Sequence, residues 1–190
     1  MRLIIVDGLD GVGKDTHAGL IKKRYESMDE NVVIRSHPES DNFFGIQTKK
    51  ALLGQGKINK LKASVFYMFD VLRSIKKYRL MTDIDTLIMV RYLVGTAYLP
   101  GGLAKIGYRF FYGFVPTSEY MFFLDSPPEK VLQRFENRDQ REMFETFDEL
   151  VKIRKKALML VKNWHIIDSS GTIEHTFSQI ENILDKLDRN

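Results

Sequence analysis

The stretch Gly8-Leu9-Asp10-Gly11-Val12-Gly13-Lys14-Asp15-Thr16 sets three glycines and a lysine at a spacing that suits phosphate chemistry. Glycines there let successive backbone N–H groups turn toward a polyphosphate, and the lysine reaches its outer phosphates. The apolar run Leu3-Ile4-Ile5-Val6 precedes the loop, and a helical pattern opens after the lysine. Strand, glycine loop and helix in that order is the context a P-loop requires, with the helix N-terminus adding partial positive charge. One position departs from the pattern: Asp15 stands where Ser or Thr is expected, with Thr16 next.

Two further groupings carry possible chemistry. Arg134, Arg138 and Arg141 fall at spacings of four and three, which places them on one helical face or on a helix running into a loop. Arginine clamps phosphoryl oxygens well. The interleaved Glu136, Asp139 and Glu142 fit a salt-bridged surface helix equally on spacing alone, and the upstream P-loop tips the reading toward a lid. Phe69 and Arg73 lie one helical turn apart, so a ring and a planar cation project together. Such a pair can stack a base and bond its carbonyl, or can be an amphipathic helix whose arginine reaches past a core ring. The histidines at 17, 37, 165 and 175 show no metal-ligand spacing and are read as structural or surface residues.

These residues need a scaffold, and the chain alternates strand-like and helix-like segments, as a parallel sheet covered on both faces does. Candidate strands are Arg2–Asp7, Val32–Ser36, Thr86–Arg91, Tyr120–Asp125 and His165–Asp168. Candidate helices are Lys14–Ser27, Lys60–Lys77, Glu129–Asn137, Thr146–Lys162 and Thr172–Leu187, while Tyr98–Pro116 is left unassigned. Ligands in open parallel sheets bind beyond the carboxyl ends of the strands. That rule gathers Asp7 to Asp15, His37 to Ser40, Arg91-Tyr92 and Asp125-Ser126 at one end.

The 190 residues suit one α/β domain, with 44% apolar and 28% charged residues. No cysteine is present, which removes disulfides and thiolate metal sites and suits a reducing cytoplasm. No segment approaches the roughly 18 apolar residues of a membrane span, and no signal peptide is visible. The net charge of +4 is dispersed, so nucleic acid is not an expected partner. Pairs such as Lys49-Lys50 and Lys155-Lys156 read as solvated helix faces.

Over nearly its whole length the chain resembles the thymidylate kinases, those of archaea in particular. Gly8 to Lys14 is similar to the family's G-[LIV]-D-G-x-G-K loop. Arg91-Tyr92-Leu93-Val94-Gly95-Thr96-Ala97-Tyr98 resembles its D-R-Y-x-x-S-x-x-A-Y signature with a shorter insert. Leu124-Asp125-Ser126-Pro127-Pro128-Glu129 with Arg134 looks like the L-D-x-P-P-E-x-x-x-x-R stretch that opens the lid, and Arg141-Glu142-Met143-Phe144-Glu145 like the lid's end. The resemblance implies a three-layer P-loop NTPase fold, a five-stranded parallel sheet flanked by helices, with all 190 residues one domain and a short helical lid at about 134–146. It implies transfer of the γ-phosphoryl of ATP to dTMP with Mg²⁺, in a cytoplasmic homodimer.

Residue by residue, the resemblance gives Lys14 the phosphoryl group in flight, Asp10 the sugar 3′-hydroxyl and Arg91 the acceptor phosphate. Phe69 would stack on thymine, Arg73 would bond its carbonyl, and Thr96 and Tyr98 would line the base and sugar pocket. Gly11 stands where some members carry arginine, so the catalytic arginine would come from Arg138 or Arg141 in the lid. Val90 replaces the aspartate expected before Arg91, and Ser40 replaces an arginine that clamps the acceptor phosphate. Asp15 and residue 90 are expected to face the same phosphate region, with Asp15 taking over part of the Mg²⁺ site. Helix capping is the alternative role for Asp15. Kinases for another pyrimidine nucleotide or nucleoside, and a nucleotide-binding regulator without turnover, stay open at the level of sequence. A GTPase does not, because no N-K-x-D motif occurs.

Overall fold

Short runs of branched and aromatic residues, buried on both faces, build the centre of the molecule. The computed structural model describes residues 1–54, 56–99, 102–135 and 146–189. In chain order the elements are β1 (Arg2–Gly8), α1 (Lys14–Glu26), β2 (Val32–Ser36), α2 (Phe43–Leu52), α3 (Lys57–Tyr78) and β3 (Thr86–Val90). A 3-10 turn (Val94–Tyr98), α4 (Leu103–Phe114), β4 (Met121–Asp125), α5 (Pro128–Phe135), α6 (Phe147–Leu160), β5 (His165–Asp168) and α7 (Ile173–Leu187) follow. The five strands are parallel in the order β2-β3-β1-β4-β5. β1 is central: Val6 lies opposite Val90 of β3, and Gly8 opposite Leu124 of β4.

Ile4, Ile5, Ile88, Phe122 and Phe123 have no exposed surface. Each such side chain contributes about 1.5–3 kcal/mol through burial, and together they make the sheet a rigid platform. The connection from β1 runs to the β2 edge and that from β3 to β4, on the other side of the centre. The chain therefore opens a crevice at the carboxyl ends of these neighbouring strands.

The predicted strands match to within a residue at their ends. β3 stops at Val90 because Arg91 turns out of the sheet at φ 55°. Val90 itself is fully buried in the hydrophobic core. The expectation that residues 15 and 90 share the phosphate region is thus not met. Two helices lie outside the expected ones: α2, and α4 inside the unassigned Tyr98–Pro116 stretch. Most of the expected lid, with Arg138 and Arg141, lies outside the described residues.

Candidate active site

The loop after β1 delivers its chemistry through an uncapped helix. α1 starts from Gly13 in a left-handed conformation, φ 91°, and no side chain caps its first amides. Those N–H groups, at the positive end of the helix dipole, face the loop and suit an anion. Lys14 is buried, and its ammonium donates to the carbonyls of Gly8 at 2.9 Å and of Leu9. Burial lowers its pKa, an effect that Asp10 opposes and Arg91 reinforces.

Asp10 is the hub of the loop. Its carboxylate lies 3.5 Å from both Lys14 Nζ and Arg91 Nε, and accepts the Tyr98 hydroxyl at 3.0 Å. Burial alone would raise its pKa, but the two cations outweigh burial and hold it at about 2. Tyr98 moves the other way: burial, and then the Asp10 charge, push its phenol well above the ordinary value.

Arg91 links this loop to the next two. Its Nη1 donates to Asp15 Oδ2 at 2.9 Å and to the Ser36 hydroxyl at 2.9 Å, and Ser36 donates to Asp15 Oδ1 at 2.8 Å. A left-handed arginine is strained, and such strain persists only where surroundings over-determine it. Here the Arg91 N–H donates to Val6 O at 3.2 Å, its carbonyl accepts the Tyr67 hydroxyl, and Asp10 and Asp15 hold its guanidinium. The next turn is fixed by Asp7. That carboxylate, buried at the end of β1, accepts the N–H groups of Tyr92, Leu93 and Val94, each at 2.9 Å. The strand-end rule places Asp7 at this end of the sheet, but its bracing role depends on backbone amides that carry no side-chain signature.

A cavity of about 500 Å³ opens beside these groups, lined among others by Asp10, Asp15, Arg91, Tyr98, His37 and Tyr67. The expected Phe69 and Arg73 do not reach it. Phe69 stacks on Phe44 of α2 at 5.3 Å, and Arg73 lies 3.7 Å from Asp41. Ala63, Ser64 and Tyr67 form the face of α3 that lines the cavity. Residues 67 and 69 are about 200° apart around a helix, so the pair projects away from the cavity. Thr96 is also displaced from its expected place: its hydroxyl donates to Leu93 O at 2.9 Å, and it lines a second, apolar cavity between α3 and α4.

Burial lowers the His37 imidazole to about 4, with Asp70 opposing and Arg35 adding to the effect, so the ring is neutral near pH 7. The loop that carries His37 is anchored from behind. Arg35, 4% exposed, donates to Asp70, Asp41 and Ser74, while fully buried Asp70 accepts from Glu39 N at 3.0 Å and Asn42 Nδ2 at 2.7 Å. On the opposite side Arg134 bridges Gly11 O at 3.0 Å and Ser169 O at 2.7 Å. Asp15 carries its carboxylate 57% exposed at the loop's edge, paired with Arg91. Among the described residues no group of three or more His, Cys, Asp or Glu side chains could hold a metal by itself.

This arrangement can neutralise a polyphosphate at the loop and seat a second anion against Arg91. The profile of the thymidylate kinase family matches residues 6–180. The chain is 26% identical to a probable thymidylate kinase of Saccharolobus solfataricus, over 97% of each chain. It is 27% identical to the thymidylate kinase of Thermosipho melanesiensis, over 97% of this chain and 98% of that one. The solved thymidylate kinase of Candida albicans superposes with a TM-score of 0.73 over 98% of this chain and 92% of its own, at 17% identity.

Proposed function

The chain belongs to the thymidylate kinase family and is an ATP-dependent kinase that forms dTDP from dTMP, and we propose that the residues around the 500 Å³ cavity divide this work as follows. ATP places its phosphates over Gly8 to Thr16, and the acceptor enters the cavity between the P-loop, the loop after β2 and α3. An oxygen of the acceptor phosphate attacks the γ-phosphorus, the bond to the β,γ-bridging oxygen breaks, and ADP leaves. Such transfer depends on positioning and charge neutralisation.

Lys14 exchanges its loop carbonyls for phosphoryl oxygens and carries positive charge to the group in flight. Arg91 holds the acceptor phosphate, and Asp10 with Tyr98 receives the sugar. Tyr67, rather than Phe69, presents a ring to the base, alongside the apolar Leu52 and Leu53. Arg138 or Arg141 completes the site from a lid at about 134–146, and the whole chain acts as one domain. Mg²⁺ entering with ATP would supply charge neutralisation at the phosphates, and Asp15, at the edge of the loop, would be the carboxylate that helps to hold it. No described helix is long and apolar enough to cross a membrane. The absence of cysteine and the dispersed charge support a cytoplasmic enzyme without nucleic-acid partners.

The observation that carries this division is the meeting of Asp10 and Arg91 on one cavity edge, with the Lys14 ammonium 3.5 Å from Asp10. A coupled ADP-release assay with ATP, Mg²⁺ and a panel of nucleoside monophosphates tests it. dTMP should be the best acceptor; preference for AMP or GMP would overturn the acceptor assignment.

A further inference from the structure

The cations nearest the P-loop are already committed. Arg91 is shared between Asp10 and Asp15, and Lys14 is turned onto the Gly8 and Leu9 carbonyls and Asp10. Glu39 adds a further carboxylate to the same cavity wall. A phosphate monoester entering there carries nearly two negative charges near pH 7. Leaving water beside three carboxylates is costly unless an uncommitted cation meets it.

Lys49 of α2 is such a cation. It lines the cavity, is exposed, and makes no ion pair with a carboxylate among the described residues. Its ammonium donates to the neutral Ser40 hydroxyl at 2.8 Å, which aims it over the loop that follows β2. The backbone beneath it is fixed. Asn42 caps α2 by accepting the Gly45 N–H at 3.1 Å and is itself held by buried Asp70. Gly45 presses so closely on that loop that a Cβ would lie 1.8 Å from Glu39 O. Lys49 stands one turn further along the same helical face, so α2 presents the ammonium to the cavity rather than to open solvent.

We propose that Lys49 binds the acceptor's phosphate from the side opposite the P-loop, as the second cationic contact beside Arg91. Lysine suits the task as a point charge that follows a phosphate between ground and transition state. The assignment rests on reading the cavity as the acceptor site. The two separate in one calorimetric experiment with dTMP and thymidine as probes, on wild type, Lys49→Met, Lys49→Arg, and Lys49→Met combined with Ser40→Arg.

Wild type should bind dTMP more tightly than thymidine. Lys49→Met should weaken dTMP by about tenfold or more, as loss of a hydrogen bond to a charged group does, and leave thymidine unchanged. Lys49→Arg should stay within a few-fold of wild type, and Ser40→Arg should restore much of the loss from the adjacent residue. dTMP binding by Lys49→Met within twofold of wild type would overturn the proposal, as would equal losses for dTMP and thymidine. Wild type that binds neither compound would remove the acceptor-site reading itself, and the Lys49 assignment with it.

Discussion

Lys14 and Asp10 sit four residues apart where the loop after β1 enters α1, and the roles proposed for them make different predictions. The hydrogen bonds and ion pair of the Lys14 side chain are made by its ammonium, to loop carbonyls and Asp10. Lys14→Ala should therefore reduce turnover at least tenfold, and by far more if the charge acts on the transition state. Thermal melting should stay close to wild type, since α1 keeps its backbone start at Gly13. A mutant retaining more than about a tenth of wild-type turnover would contradict the role given to Lys14. Asp10 gives a pH signature instead. Its folded pKa of about 2 lies below the ordinary value of roughly 3.9, so its ionised form stabilises the native state. That contribution is complete above about pH 4 and is lost as pH falls toward 2. Melting temperature measured between pH 5 and 2 should drop more steeply for wild type than for Asp10→Asn. Parallel curves would show that Lys14 and Arg91 do not hold the charge.

Among the elements, α2 decides the shape of the cavity, and a buried ion pair decides where α2 sits. Asp70 is fully buried and Arg35 nearly so, and between them they hold Glu39 N, Asn42 and Asp41. Removing one partner leaves an uncompensated buried charge, which costs about 3–5 kcal/mol. Asp70→Ala should show that loss in urea denaturation and should raise KM for dTMP more than it lowers kcat, because the loop after β2 loses its anchor. A loss under about 1 kcal/mol would mean that Asp41 alone satisfies Arg35. This network also explains what the sequence concealed. Strands were legible because Leu3 to Val6 and Phe122 to Leu124 are apolar runs buried on both faces, which no surface helix shows. The phosphate loop was legible because its residues are contiguous. α2 was not, since Asn42 caps it and Asp70, distant in sequence, places it. Periodicity gave Lys60–Lys77, most of α3, but not its phase: it set Phe69 one turn from Arg73 and could not say which face meets α2 and which meets the cavity. Gly11 shows the same dependence on tertiary context. At φ 80°, a Cβ there would lie 2.7 Å from Phe135 of α5, so the backbone and the packing of α5 both disfavour an arginine at this position.

At the scale of the whole molecule, one surface remains unfinished. Leu103, Ile106, Phe110 and Phe114 project from α4, each at least half exposed, and Leu61 and Val65 of α3 lie exposed nearby. Between them runs an apolar groove of about 330 Å³, walled by Met68, Leu99 and Phe111 as well. Monomeric proteins seldom leave a contiguous apolar surface of this kind in water. The same face offers both protruding rings and a groove to receive them, so a second copy related by a two-fold axis would satisfy each with the other. This is the surface on which the expected homodimer would form. An interface of ordinary size buries about 1,600 Å² in total, more than one groove supplies, so the flanking turns of α3 must take part. Thr96, which lines this groove, lies in the same 3-10 turn as Tyr98, which lines the cavity beside Asp10. Association on this face would therefore brace the turn that carries an active-site phenol. Sedimentation equilibrium at micromolar concentration should give a dimer for wild type, while Ile106→Glu with Phe110→Glu should give a monomer. The monomer should also bind dTMP more weakly, because Tyr98 loses its support from behind. A wild type that sediments as a monomer would refute the dimer, and a monomeric double mutant with unaltered dTMP binding would separate assembly from the site.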